Sequence, residues 1–242
     1  MKELENKVLD TVFSKSALMT LHSLASQGII KSMGGPISTG KEAVVHEAVG
    51  ENGKVAVKMY KIETSNYRKM VDYLRGDPRF AGTKKDRRSV IFSFVQKEYR
   101  NLLRAFEVGI RCPRALAYKG NVLVMSFIGI DDSEDPAAAP QLRKAKLEDP
   151  QEVYDKIMED VKTLYNKAGL VHGDLSEYNI LMADEPYMID VSQSVLKSHP
   201  RAGEFLERDI MNVSRYFEKF SIEIEDPAKV FNSLVHNKEY AL

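Results

Sequence analysis

The sequence predicts an α+β chain folded as two lobes, and three observations carry that expectation. Residues 36–60 and 114–129 are rich in Val and alternate in polarity, as strands do. Residues 151–168, 203–220 and 226–235 repeat apolar side chains at helical spacing. Between the two classes, residues 131–150 are acidic and hold three of the nine prolines, the composition of a connector. Strands with one helix therefore come first, and mostly helices second.

Taken in order, residues 1–30 predict two short helices, the second with Leu18, Leu21, Leu24 and Ala25 on one face and Gly28 as its stop. The stretch "GGPISTGKEA" follows and reads G-x-x-x-x-G-K from Gly35 to Lys41, but Glu42 stands where a nucleoside-triphosphate P-loop needs Ser or Thr. A P-loop also runs directly into a helix. Here "AVVHEAVG", the turn "GENG" and "KVAVKMY" come next, which predicts a glycine-rich loop capping a β-hairpin. Residues 61–93 read as a long basic connection, most loop-like at "GDPRFAGTKKDRRS". A helix is expected over residues 95–109, with Val95, Tyr99, Leu102 and Phe106 as its apolar stripe and Gly109 at its end. Two strands around a Lys-Gly-Asn turn lead to the connector. The helix at 151–168 turns Val153, Ile157, Val161, Leu164, Tyr165 and Ala168 inward. Short strands "NILMA" and "YMIDV" follow, then two helices, the last opened by Asp226 and Pro227 as cap and first-turn pair.

Of the 242 residues, 43% are apolar and 29% charged, an ordinary globular balance. No apolar run approaches the ~20 residues that span a bilayer, and the charged N-terminus does not read as a secretory signal. The single cysteine, Cys112, allows no intrachain disulfide and reads as a small buried residue, so a cytoplasmic setting is expected. Net charge is zero, yet residues 54–119 hold 17 Lys plus Arg against 6 Asp plus Glu, a local +11 offset by −11 elsewhere. Such segregation is either two ordinary solvated surfaces or a basic lobe that faces a polyanion.

The chemistry-bearing residues are scattered. Lys58 lies inside the strand "VAVKMY", and Glu98 follows forty residues later on a helix. Asp174 and Asn179 are five apart in the loop of "VHGDLSEYNIL", and Asp190 comes sixteen residues after Asp174. Each alone reads as a turn residue or a surface charge. In this order they form a parts list for phosphoryl transfer from ATP. A lysine on a rigid strand meets the phosphates, and a helix acid holds the lysine. A carboxylate and an amide carbonyl suit a hard divalent cation, and a second carboxylate takes or orients a proton. His172 reads as a brace for this loop, by a hydrogen bond to backbone near Asp190.

The segments "STGKEA" (residues 38–43), "VAVKMYK", "VHGDLSEYNIL" and "IDVSQSV" resemble the RIO family of atypical serine/threonine protein kinases, in the subgroup that carries STGKEA, over nearly the whole chain. The resemblance implies a protein-kinase-like bilobal fold with a trimmed C-terminal lobe, lacking the activation loop and peptide-docking helices. Its parts would be N-terminal helices at 1–30, an N-terminal lobe at 31–125, a hinge at 126–130 and a C-terminal lobe at 131–242. It implies ATP with Mg2+ (or Mn2+). Binding of ATP would fall to Ser38, Thr39, Gly40, Lys41, Lys58, Glu98, Tyr178 and the hinge residues Met125, Ser126 and Ile128. Asp174 would be the catalytic aspartate. Asn179 and Asp190 would be metal ligands, with Asp190 also accepting the phosphoryl group as a transient aspartyl-phosphate. The resemblance further implies autophosphorylation, an ATPase switch, and a role in maturation of the small ribosomal subunit with rRNA and ribosomal proteins as partners. It implies nothing about oligomeric state.

Two departures stand out. Ser126 replaces the hinge's usual acidic residue, and "DVS" stands where ordinary protein kinases have DFG, with no Ala-Pro-Glu after it. Only 52 residues follow Asp190, which leaves little for peptide docking. The alternative is a small-molecule phosphotransferase of the aminoglycoside or choline type, which shares His-Gly-Asp (residues 172–174) but needs a larger helical insert to shape its acceptor pocket. A binding module that uses ATP as a conformational ligand is a further reading, favoured by the basic segment.

Overall fold

The structure is a computed structural model and describes residues 15–63, 67–84, 86–131, 133 and 135–236. The first of the two helices expected in residues 1–30 lies before Lys15, outside the described residues. The chain opens with α1 (Lys15–Ser26) and then builds a five-stranded antiparallel sheet from β1 (Ser32–Thr39), β2 (Ala43–Gly50), β3 (Gly53–Tyr60), β4 (Ala115–Lys119) and β5 (Val122–Ser126), in the order β1-β2-β3-β5-β4. The glycine segment is therefore one arm of a hairpin: β1 pairs with β2, and the register slips around Pro36.

Alternation along β3 decides what each face of this sheet does. Val55, Val57 and Met59 pack with Leu21, Leu24, Val122 and Val124 in a small core under α1. Ala56, Lys58 and Tyr60 consequently face the other way, toward the cleft. The buried face of α1 is Ala17, Leu21 and Leu24, and Ala25 is exposed, one step off the expected stripe.

The segment at 61–93 is more structured than its composition suggests. It contains α2 (Tyr67–Arg75), whose Met70 and Leu74 are buried, and a 3-10 turn at Pro78–Phe80 capped by Asp77. Helix α3 (Arg87–Glu107) begins two turns earlier than expected because Asp86 caps it, accepting the Ser89 amide at 3.0 Å. The early turns also bury Val90, Ile91 and Phe94. The stripe runs through Val95, Glu98, Leu102 and Ala105, which leaves Phe106 at 46% exposure on the outside. Spacing of three and four permits either row. The row next to the lysine strand won.

The second lobe holds α4 (Pro150–Asn166), short pairs β6 (Leu170–Val171) with β9 (Val195–Leu196) and β7 (Ile180–Met182) with β8 (Pro186–Met188), then α5 (Ala202–Phe217) and α6 (Pro227–His236). Asp149 caps α4 through the Glu152 amide at 2.9 Å, and Asp226 accepts the Ala228 amide at the start of α6. One contiguous core joins α3 to this lobe through Leu142, Tyr154, Phe205 and Phe217. Buried Cys112, its thiol pushed up to about 12 by burial, is one more packing residue. No described helix is long and apolar enough to cross a membrane.

Candidate active site

A cleft of about 1710 Å³ separates the sheet from the helical lobe. At its back, β3 and α3 bring Lys58 and Glu98 together, with Nζ 2.7 Å from Oε1. The same ammonium lies 2.8 Å from Oδ1 of Asp190, a residue 132 positions away in the chain. Glu98 is buried, whereas the Asp190 side chain keeps 40% exposure toward the cleft. Burial opposes a charged lysine here, but the Asp190 and Glu98 carboxylates outweigh it and hold Lys58 well above its ordinary value. Asp190 behaves conversely. Burial would raise it, and Lys58 together with the Ser192 hydroxyl at 2.7 Å keeps it low and ionised. Burial pushes Glu98 up, so the carboxylate that stays charged most firmly is the one facing the cleft.

Asp190 does not end a strand, as its position in "YMID" suggests. It lies two residues past β8 in a left-handed conformation, φ 62°. Such a backbone costs a non-glycine residue roughly 1 kcal/mol or more and is held by its surroundings.

Asp174 and Asn179 occupy the floor. Asn179 donates its amide to the Asp174 carbonyl at 2.8 Å, which leaves its own side-chain carbonyl as an oxygen ligand. Gln193 donates to Asp174 Oδ2 at 3.0 Å. Burial and the nearby Asp190 raise the Asp174 carboxyl, as suits a group that takes a proton. His172 is buried with Nε2 3.1 Å from the Ile189 carbonyl, and burial lowers its pKa to about 4, so the ring is neutral. It ties the floor loop to the residue just before Asp190.

Ser38, Gly40 and Lys41 line the cleft from above, as do Met125, Ser126, Ile128 and Tyr178 at the hinge side and mouth. Thr39 does not line it and pairs with Val44 at the end of β1. The Ser126 amide and hydroxyl both bond the main chain of Arg114, so this side chain is spent on strand pairing.

Three supporting residues escaped the sequence reading. Tyr60 donates its phenol to Glu98 Oε2 at 2.5 Å, so each oxygen of that carboxylate has its own donor. Asp209, buried on α5, accepts the amides of Gly173 at 2.7 Å and Leu175 at 2.9 Å and so fixes both sides of Asp174. Burial pushes its carboxyl up to about 7, against the pull of those two amides. Gly173 has φ 80°, and a Cβ there would meet the Gln193 carbonyl at 3.1 Å, so this loop position requires glycine. The third is Lys97, buried beside Glu98, with its ammonium on the carbonyls of Ser192 and Ser194 and its pKa lowered by burial to about 7. Asp209 had a legible signal: it sits on the apolar row Phe205, Leu206, Ile210, Val213, where a charge is costly unless partnered. Tyr60 and Lys97 had none.

A RIO domain family model matches residues 44–230. The chain belongs to the RIO family. It is 44% identical over 88% of its length to the RIO-type serine/threonine-protein kinase Rio1 of Haloferax volcanii, covering 72% of that protein. Against the protein of the same name from Methanocaldococcus jannaschii it is 42% identical over 90% of its length and covers 73% of that protein. Among solved structures, the Rio2 kinase of Chaetomium thermophilum, crystallised as an ADP/Mg2+-phosphoaspartate complex, superposes with a TM-score of 0.66 at 22% identity, over 89% of this chain and 65% of that one. This likeness shows the protein-kinase-like bilobal fold.

Proposed function

We propose that this RIO domain is an ATP-dependent serine/threonine kinase with ATPase activity. The observation that carries the proposal is Lys58 held between Glu98 at 2.7 Å and Asp190 at 2.8 Å, in the cleft that Asp174 and Asn179 also line. In this reading Lys58 meets the ATP phosphates, while Ser38, Gly40 and Lys41 cover them. Adenine lies against main chain at Ser126 and Ile128, beside Met125 and Tyr178. Thr39 serves the cover through the hairpin rather than by contact.

The donor set fits a magnesium ion. Asp190 and Asn179 offer hard oxygens, and the described residues contain no group of three or more acidic or soft side chains that would form a cage of their own. Magnesium characteristically takes one or two protein oxygens and completes its shell with phosphates and water. When bound, it supplies charge neutralisation on the phosphates. Asp174, raised toward neutrality by burial, accepts the proton of an incoming seryl hydroxyl or orients a water.

The phosphoaspartate of the Chaetomium thermophilum Rio2 complex supports a second acceptor. An Asp190 carboxylate oxygen forms a bond to the γ-phosphorus as the bond to the ADP oxygen breaks, and ADP leaves with the electron pair. Water then attacks the acyl phosphate, Asp174 takes its proton, and inorganic phosphate departs. Radiolabelled ATP tests this. Wild type should yield a base-labile phosphoenzyme and free phosphate, and Asp190→Asn neither; a base-labile label surviving in Asp190→Asn refutes the assignment.

The proposed setting is maturation of the small ribosomal subunit. Lys84, Arg87, Arg88, Arg100 and Arg104 are exposed, Arg88 over the half-buried Phe92 ring and Arg100 over the buried Phe80, a basic surface suited to RNA. Charge reversal at Lys84, Lys85, Arg87 and Arg88 should weaken binding to precursor subunits and flatten its salt dependence. Unchanged binding and slope would remove the RNA role. Acceptor-dependent transfer to aminoglycosides or choline would instead favour a small-molecule phosphotransferase.

A further inference from the structure

Reading Asp190 as the metal-side carboxylate leaves open what holds a non-glycine residue at φ 62° with its side chain toward the cleft. The answer lies in the turn after it. The carbonyls of Val191, Ser192 and Ser194 are all met by donors from α3. Lys97 Nζ donates to Ser192 at 2.8 Å and also to Ser194. Asn101 Nδ2 donates to Val191 at 3.0 Å and to Ser194 at 3.1 Å. The two residues are one helical turn apart on the same face, and each is 0% exposed.

The hydrogen-bond acceptors of Lys97 among the described residues are main-chain carbonyls, not a carboxylate. Burying an ammonium on such terms costs several kcal/mol, and an apolar side chain would pack there more cheaply. What the ammonium provides is several donors on one point, able to gather carbonyls that diverge.

The clamp is itself braced. Asn101 Oδ1 accepts from Arg79 Nη2 at 3.0 Å, and Arg79 forks onto buried Asp77 at 2.9 and 2.6 Å. The basic segment at 61–93 therefore reaches the back of the turn through Arg79.

We infer that Lys97 and Asn101, backed by Arg79, are positioning residues that set the geometry of Asp190 by gathering the carbonyls of residues 191–194. The inference rests on the proposed metal role of Asp190. Since Lys97 adjoins Glu98, one helix then fixes both partners of Lys58: Glu98 through its own side chain, and Asp190 through the turn.

The test is calorimetric affinity for ADP with Mg2+ and with EDTA, on wild type, Asp190→Asn, Lys97→Met and Arg79→Met. Outer-shell partners of metal ligands are worth roughly 10- to 100-fold in metal affinity. Lys97→Met should therefore lose about tenfold or more of the magnesium-dependent gain, Arg79→Met severalfold, and both should bind ADP in EDTA within about twofold of wild type. If Lys97→Met fails to fold, Arg79→Met combined with Asp77→Asn carries the test, since it removes the brace without leaving the buried Asp77 carboxylate unpaired. Variants that keep the full magnesium gain, while Asp190→Asn loses it, overturn the clamp alone. Equal losses with Mg2+ and EDTA also overturn it, as the mark of a general packing role. A wild type without any magnesium gain, or an Asp190→Asn that retains it, overturns the metal role of Asp190 and the clamp along with it.

Discussion

The two walls of the cleft are built in opposite ways. The upper wall is the β1–β2 hairpin. Strand β1 is exposed at every position but Met33, and its register slips twice. The lower wall is loop, yet it is tied down at several points by buried side chains. Asp209 takes two amides beside Asp174, His172 meets the Ile189 carbonyl, and Lys97 and Asn101 gather the turn after Asp190. In the proposed reaction the strand is the cover over the nucleotide and the loops are the floor, where misplacement by an ångström would be costly to catalysis. Changes to the floor should accordingly do the most damage.

The largest effect is expected at Asp174. Asp174→Asn keeps the shape but cannot accept a proton, so phosphoryl transfer should fall by about 10²- to 10⁴-fold while ATP affinity stays near wild type. Single-turnover transfer beside equilibrium nucleotide binding separates the two. A variant that transfers at more than a tenth of the wild-type rate would return Asp174 to the status of a turn residue.

Next comes Asp209, which touches no reacting atom. Asp209→Ala strands two buried amides at about 1–3 kcal/mol each, so urea unfolding should show a loss on the order of 4 kcal/mol, with a drop in kcat. A variant as stable as wild type would mean that the floor is held by something else.

His172 offers a gentler test through pH. Its folded-state pKa, about 4, lies below the ordinary 6.5, so between those values the unfolded chain binds the proton and the native one does not. Stability from this residue is therefore present above pH 6.5 and lost as pH falls toward 4, by about 3 kcal/mol in all. Asp209 acts with the opposite sign. Its folded-state pKa is raised from 3.8 to about 7, and its contribution declines as pH rises across that window. The measurement must therefore be a difference: wild type minus His172→Asn, by urea unfolding at pH 7 and pH 4.5. The gap should shrink on acidification, and a gap independent of pH would show that the ring is not buried neutral.

The same contrast explains how much the sequence disclosed. That Lys58, Glu98, Asp174, Asn179 and Asp190 would share one cleft was legible because the proposed phosphoryl transfer calls for those residue types in that order. The hairpin was legible because "GENG" between two Val-rich runs has one economical conformation. The start of α3 was not, since a cap at Asp86 inside a basic, glycine-containing stretch looks like loop until Val90, Ile91 and Phe94 find a lobe to pack against. Tyr60 and Lys97 were illegible for a deeper reason. Their partners lie 38 and 95 residues away, and a tyrosine on a strand or a lysine on a helix is ordinary until tertiary structure buries it.

The smallest effect is expected in the cover, and it bears on the stretch that first looked like a P-loop. In a P-loop the first glycine lies against phosphate, and a methyl group there would obstruct the cradle. Here Gly35 sits within β1, has no positive φ, and a Cβ built on it meets nothing within 4 Å. Gly35→Ala should therefore leave the KM for ATP within about twofold and stabilise the chain slightly, by about 0.4–1 kcal/mol through the unfolded state. The neighbouring Gly34→Ala provides the internal control, since its Cβ would fall 2.6 Å from Cγ of Glu47 and require that side chain to move. Steady-state kinetics and thermal unfolding on the pair decide the matter. If Gly35→Ala raised KM more than tenfold, the hairpin would be gripping phosphate as tightly as the floor grips Asp190, and the two walls would no longer differ in kind.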